Sequence, residues 1–166
     1  TEFLSVMRAC AAPRPSQEET WILPSMISAY CALNRLGYAH SIEVWCDDTL
    51  VGGLYGVSLG KAFFGESMFS IETDASKTAL AALAYLGRMG YFEFIDCQVE
   101  SSHLTSLGAR LISRETFEQK LENAISKDMA QIQQIIKGNT PVSVRSVPWQ
   151  EAFPESTTQL LWDASA

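Results

Sequence analysis

The segment FIDCQV, Phe94 to Val99, carries a carboxylate and an amide two residues apart, at Asp96 and Gln98. In an extended strand, side chains at i and i+2 share a face, so the pair stands together while Ile95, Cys97 and Val99 turn the other way. An amide oxygen accepts a hydrogen bond and aims the incoming donor, although it is far too weak a base to keep the proton. A neighbouring carboxylate supplies the charge: it orients the amide, attracts a cation and relays a proton. A D-x-Q spacing alone is common on half-solvated strands, so the surroundings have to decide between a site and a polar couple.

Those surroundings have a readable order. Residues 3 to 12 predict a short helix, and the PRPSQ stretch after them breaks it. A second helix starts near Pro24, a first-turn proline, carries Met26 or Ile27, Tyr30 and Leu33 on one side, and ends before Gly37. HSIEVWC, LVGGLYGV and AFFGESMF then alternate between short turns and predict a three-stranded meander. DASKTALAALAYLGRMG reads as a helix with Asp74 at its N-cap position, followed by a strand over YFEFIDCQV, a short helix at SHLTSLG and a strand near ARLIS. Phe117, Leu121, Ile125, Ile132 and Ile136 form one stripe of a helix over Thr116 to Lys137. The order predicts an α+β domain over residues 1–138, with helices on a mostly antiparallel sheet, and a loosely patterned tail over 139–166.

Composition narrows the function. The 166 residues are 47% hydrophobic and 19% charged, which fits one domain with a sizeable core. No apolar run approaches a membrane span, so no membrane partner is expected. A net charge of -7 argues against a generic DNA or RNA binder, because phosphate contacts need clustered lysine and arginine, and any RNA contact must be local. Cys10, Cys31, Cys46 and Cys97 form no C-x-x-C pair and read as reduced thiols of a cytoplasmic protein. With His40 and His103 far from ligand spacing, no zinc and no other cofactor is expected. Lys61 and Lys77 read as solvated surface lysines. The first residue is Thr1, which points to a processed or truncated chain.

TWI at Thr20 to Ile22, AHSIEVW, LVGGLYGV, GESMFS, ASKTAL, IDCQV and SLGA occur in an order and spacing that resembles the leucyl/phenylalanyl-tRNA protein transferases. The resemblance runs from about Trp21 to Phe117. It implies an acetyltransferase-like (GNAT-like) fold, and transfer of Leu, Phe or Met from the 3′ aminoacyl-adenosine end of aminoacyl-tRNA to a protein with N-terminal Arg or Lys. Such tagging marks the acceptor for degradation by the bacterial N-degron pathway. The family's smaller N-terminal domain, which precedes the TWI block, is expected to be missing from this chain. The resemblance also assigns catalysis to Asp96 and Gln98. Glu66, in the GESMFS block on what reads as a nearby strand, is the natural third carboxylate to bind the acceptor's basic side chain or ammonium, and Ser70 of the same block is placed in the substrate-binding set. Trp21, Leu54 and Phe63 match positions that line the family's aminoacyl pocket, with Leu80 and Leu83 on the helix beyond it.

Two other functions fit parts of the pattern. A coenzyme A-dependent N-acetyltransferase shares the strand, helix, strand order, but its glycine-containing phosphate loop is missing between the meander and the Lys77 helix. A non-catalytic relative that binds basic N-termini would keep the carboxylates without the transfer.

The transfer reading carries an expectation about the acyl group. Val and Ile place a second heavy group on Cβ, where the reactive carbonyl lies closest to the pocket wall. Transfer from Val-tRNA should therefore be slower than from Leu-tRNA by about 10-fold or more, read with a radiolabelled amino acid and an Arg-initiated peptide. Equal rates would refute the apolar, Cβ-selective pocket.

Overall fold

The structure, a computed structural model, describes residues 2–13, 20–125 and 143–145. Helix α1 spans Phe3–Ala11 and α2 spans Pro24–Leu36, with the proline in the first turn and Gly37 closing the helix at φ 85°. Strands β1 (Ala39–Cys46), β2 (Thr49–Leu59) and β3 (Ala62–Ser70) follow as the expected antiparallel meander. Next come α3 (Ala75–Arg88), β4 (Phe94–Asp96), α4 (Ser102–Ser106) and α5 (Arg114–Ile125). The short β5 (Ser143–Arg145) completes a sheet of order β4-β3-β2-β1-β5, in which both outer strands run parallel to their neighbours.

This is the expected α+β architecture, a long antiparallel meander between helices, and the differences lie at its ends. The strand read over YFEFIDCQV keeps only three residues, because the chain turns sharply after Asp96. No strand forms at ARLIS, where the chain runs without regular structure into α5. Helix α5 begins at Arg114, two residues earlier than the stripe indicates, because Ser113 caps it: its Oγ accepts from the Thr116 N–H at 3.2 Å. Residues 126–142, the rest of the predicted helix, lie outside the described residues. So does most of the predicted tail, although its residues 143–145 pair with Glu43 to Trp45 of β1. Asp74 does sit at the N-cap of α3, but at φ 65° and without a capping bond from its side chain. Its carboxylate pairs with Lys77 instead.

Consecutive residues of β2 face opposite layers. Leu54 packs with Ile42, Phe63, Leu80 and Leu83 beneath α3, whereas Tyr55 packs with Val6, Met7, Ile22 and Phe69 beneath α1 and α2. The start of α1 is tied to the sheet through Glu43, a carboxylate only 5% exposed. It accepts from the Glu2 N–H at 2.9 Å, the Ser41 hydroxyl at 3.2 Å and the Trp45 indole at 3.4 Å. Three donors make a buried charge tolerable there.

Register fails at one point of the β2–β3 ladder. Tyr55 pairs with Ser67 but the next residue, Gly56, pairs with Gly65, so β3 carries one extra residue, Glu66. Such a bulge bends its strand and breaks the alternation of faces. Gly56 lies opposite, where a Cβ would press on the Phe64 carbonyl and sit 2.5 Å from the Phe63 ring. Gly56→Ala should cost about 2 kcal/mol or more, as overpacking does, and be measurable by urea denaturation. A change under ~0.5 kcal/mol would mean the bulge does not need that close approach.

Candidate active site

Glu66 stands at the bulge. Phe63 faces α3, and so does Met68, yet they are five positions apart where strict alternation requires an even number. The parity change falls between Glu66 and Ser67, and Glu66 keeps the α1–α2 face that alternation from Phe63 gives it. There the Tyr30 hydroxyl, arriving from α2, donates to its carboxylate. Burial, that hydrogen bond and the Glu66 charge together push the Tyr30 hydroxyl up to about 12. Beside it, Tyr55 stacks edge to face on Tyr30 at 5.2 Å and on Phe3 at 6.1 Å. Tyr55 is fully buried, and its hydroxyl has no hydrogen-bond partner. An unpaired buried hydroxyl costs about 1–3 kcal/mol. Burial, followed by the neighbouring Tyr30, Cys10 and Glu66, raises its pKa well above the usual tyrosine value.

Asp96 and Gln98 do come together, but not by strand alternation. Strand β4 ends at Asp96, and Gln98 lies outside it at φ 61°, a left-handed conformation that costs a non-glycine residue of order 1 kcal/mol. The Asp96 Oδ1 holds this turn by accepting from the Gln98 backbone N–H at 2.8 Å. The Gln98 side chain is fixed from the opposite direction: its Nε2 donates to the Gly65 carbonyl, at the bulge, at 3.1 Å. Asp96 thus positions the Gln98 backbone, and Gly65, not Asp96, orients the amide. With its N–H so engaged, the amide leaves Oε1 to accept from a ligand.

These groups surround a cavity of about 330 Å³. Leu54, Leu80, Leu83, Ile95, Met68 and Leu104 form its apolar part, and Trp21 stands at its rim, 49% exposed. Glu66, Tyr55, Ser67 and Gln98 form the polar part. Gln98 also borders an adjoining groove of about 780 Å³ that holds Asp96, Arg110 and Arg114. Two of the expected residues lie off the cavity wall. Phe63, 1% exposed, packs behind the wall against Phe92 at 5.1 Å. The Ser70 Oγ accepts from the Ser76 N–H at 3.2 Å and donates to the Glu72 carbonyl at 2.7 Å, tying down the start of α3. Tyr30 and Tyr55 were missed by sequence reasoning, because each sits in an apolar pattern where an aromatic reads as core. Ile95, paired with Phe63 across the β3–β4 ladder, faces the cavity by ordinary strand alternation, and the turn after Asp96 brings Cys97 and Gln98 to the same cavity. Among the described residues no group of three or more His, Cys, Asp or Glu side chains could hold a metal, and no helix is long and apolar enough to cross a membrane.

A mostly antiparallel sheet flanked by helices is an α+β, acetyltransferase-like architecture. Within that class, the family described as leucyl/phenylalanyl-tRNA protein transferase matches residues 1–122, and the chain belongs to it. A protein of that name from Chromobacterium violaceum is 56% identical over 115 residues, covering 69% of this chain and 49% of its own length. The one from Nitrosospira multiformis is 57% identical over 125 residues, covering 75% and 53%. That from Cellvibrio japonicus is 58% identical over 119 residues, covering 72% and 51%. The chain spans about half the length of the curated relatives it matches. The family match extends to the α1 segment, ahead of the TWI block from which the resemblance was read.

Cys97 lines the cavity and is the natural suspect for a covalent acyl carrier. Burial, with the Asp96 charge second, pushes its thiol up to about 12. The thiolate is the nucleophile, and it is scarce at neutral pH. Iodoacetamide labelling of Cys97, followed by peptide mass spectrometry, should be negligible at pH 8 and appear only as the pH approaches 12 or the protein unfolds. Rapid labelling of the folded protein at pH 8 would reopen a cysteine mechanism.

Proposed function

We propose that this site transfers Leu, Phe or Met from aminoacyl-tRNA to the α-amine of an acceptor protein beginning with Arg or Lys, marking that protein for degradation. The observation that carries the reading is the Gln98 amide, fixed by Gly65 at the junction of an apolar cavity and an open groove, with its oxygen available. The acyl side chain fits among Leu54, Leu80, Leu83 and Ile95. Trp21 at the rim offers a flat face for the terminal adenosine. The acceptor's cation lies toward Glu66. Residues 1–138 form the catalytic unit in this reading, and the reaction takes place in the cytoplasm, where aminoacyl-tRNA is made. The acidic chain, net -7, fits a site that grips the aminoacyl end rather than a long run of RNA or DNA phosphates.

The chemistry needs little acid or base strength. An α-amine has an ordinary pKa near ~7.7 to 8.0, so a useful fraction is neutral at physiological pH. Gln98 Oε1 accepts one amine N–H and aims the nitrogen lone pair at the ester carbonyl carbon. As the carbon–nitrogen bond forms, the nitrogen becomes cationic, and the Asp96 charge beside the junction favours that change. The proton lost from nitrogen passes toward the departing ribose oxygen as the ester bond breaks. Direct attack also agrees with the raised Cys97 pKa, which disfavours an acyl-thiol intermediate. A coenzyme A reading has less support: the β3–α3 turn that would cradle its pyrophosphate is Ile71 to Asp74, with two acidic residues and no glycine.

Asp96→Asn separates charge from architecture, because an asparagine oxygen can still accept from the Gln98 N–H and keep the turn. Leu transfer should fall about 100-fold with the circular dichroism spectrum unchanged, as when a positioned electrostatic group is lost. Near wild-type transfer would show that Asp96 only shapes the turn.

A further inference from the structure

We propose that the groove beyond Gln98 is a channel for the acceptor's chain, in which the residues that follow its N-terminal one lie extended, and that Arg110 favours an acidic side chain among them. The proposal rests on the transfer reading above, which puts the acceptor's amine at Gln98, and adds where the rest of the acceptor goes and what it prefers. The groove, about 780 Å³, shares Ile95, Gln98, Val99 and Ser101 with the acyl cavity. Trp21 lines the cavity and not the groove, so an ester that enters past Trp21 leaves the groove to a chain whose first nitrogen is held at Gln98. Part of the groove is an open sheet edge. Strand β4 ends the sheet with β3 as its neighbour, no described strand pairs its outer side, and Phe94, Ile95 and Asp96 line the groove. Such an edge takes an extended chain through main-chain hydrogen bonds whatever its sequence, which suits a reaction on many acceptors.

Charge sets the preference. Two segments line the groove: β4 through α4 brings Asp96 and Glu100, and the stretch from Ala109 into α5 brings Arg110 and Arg114. The Arg114 Nε is spent on Glu118, to which it donates at 2.7 Å. Arg110 is exposed and forms no ion pair or hydrogen bond among the described residues, so its charge is the one left for a ligand. Val99 and Leu111, 73% and 76% exposed, add apolar surface that an unfolded segment can cover. A run of RNA phosphates would lie against Asp96 and Glu100 as well as the arginines. A peptide strand instead turns successive side chains in opposite directions, so one chain can offer each segment the charge it lacks. An acidic side chain a few residues from the acceptor's N-terminus meets Arg110 in this arrangement.

The test uses the 166-residue chain and fluorescein-labelled pentapeptides that begin with arginine and carry a single Glu or Gln at position 2, 3, 4 or 5 among alanines, with Kd read by fluorescence anisotropy. At one or more positions Glu should bind about 2- to 5-fold tighter than Gln, the range for an exposed ion pair, and the difference should fade on raising the salt to about 0.5 M. Arg110→Gln should erase that difference and Arg110→Glu should reverse it, with both variants melting at the wild-type temperature because no contact of the free protein is lost. Equal binding of Glu and Gln peptides at every position, a preference that survives both variants, no binding of any peptide to wild type, or variants that melt lower would each overturn the proposal. So would an Arg110→Glu effect on the KM for Leu-tRNA alone, which would give the groove to RNA. Leu transfer to the same peptides is measured separately. Glu-selective binding without transfer would sink the transfer reading and leave the channel standing, and transfer to peptides that bind without regard to Glu would do the reverse.

Discussion

One extra residue in β3 holds the site together. Glu66, three positions from Phe63, lies on the α1–α2 face beside Tyr30, and the extra residue lets Met68 return to the α3 face five positions after Phe63. Next to the bulge, the Gly65 carbonyl accepts from the Gln98 amide. Two polar groups far apart in sequence thus meet beside a single defect in one ladder. Bulges are common beside active sites for this reason: they re-aim a side chain while the rest of the sheet stays paired.

The rest of the molecule supports that defect. Gly56 lets the facing strand approach, and Gly52 does the same beneath α3, where a Cβ would meet the Ala75 Cβ at 2.5 Å. The leucines of α3 and β2 give the cavity an apolar wall, while α1 and α2 cover the opposite face and deliver Tyr30. Helix α5 secures the β2–β3 turn: its Ala124 carbonyl accepts from the Lys61 N–H at 3.0 Å. Asp47 and Asp74 take left-handed backbone conformations in turns outside the site, and the site carries costs of its own. Gln98 occupies a left-handed backbone conformation and Tyr55 carries an unpaired hydroxyl, and a well-packed sheet can sustain both costs of order 1 kcal/mol.

Family membership and local geometry answer different questions. The similarity to known transferases over residues 1–122 fixes the family, whereas the activity of a chain spanning half its relatives' length rests on what the site's own groups can do. In the transfer proposed above, between an activated ester and a partly neutral amine, the catalysis required is alignment plus modest electrostatics, of the kind an amide and a carboxylate can supply.

The meander, α1, α2, α3 and the polar residues Asp96, Gln98 and Glu66 were legible in the sequence, because hydrophobic period, turn residues and helix stops are local signals. Leu54, Leu80 and Leu83 of the cavity wall were named through the family resemblance; by pattern alone each reads as core. Phe63 and Ser70 show the limit: a residue next to a site in sequence belongs to the wall only if its side chain faces inward, and these two face the core and the start of α3. The sequence also could not reveal that FIDCQV abandons the strand after Asp96, or that β3 holds one residue more than β2 can pair. Both are outcomes of register between distant segments, settled by packing on the two faces of the sheet at once. Residue types determined which chemistry was possible, and tertiary packing decided which side chains face one another, because direction in a β-sheet changes with a shift of one residue.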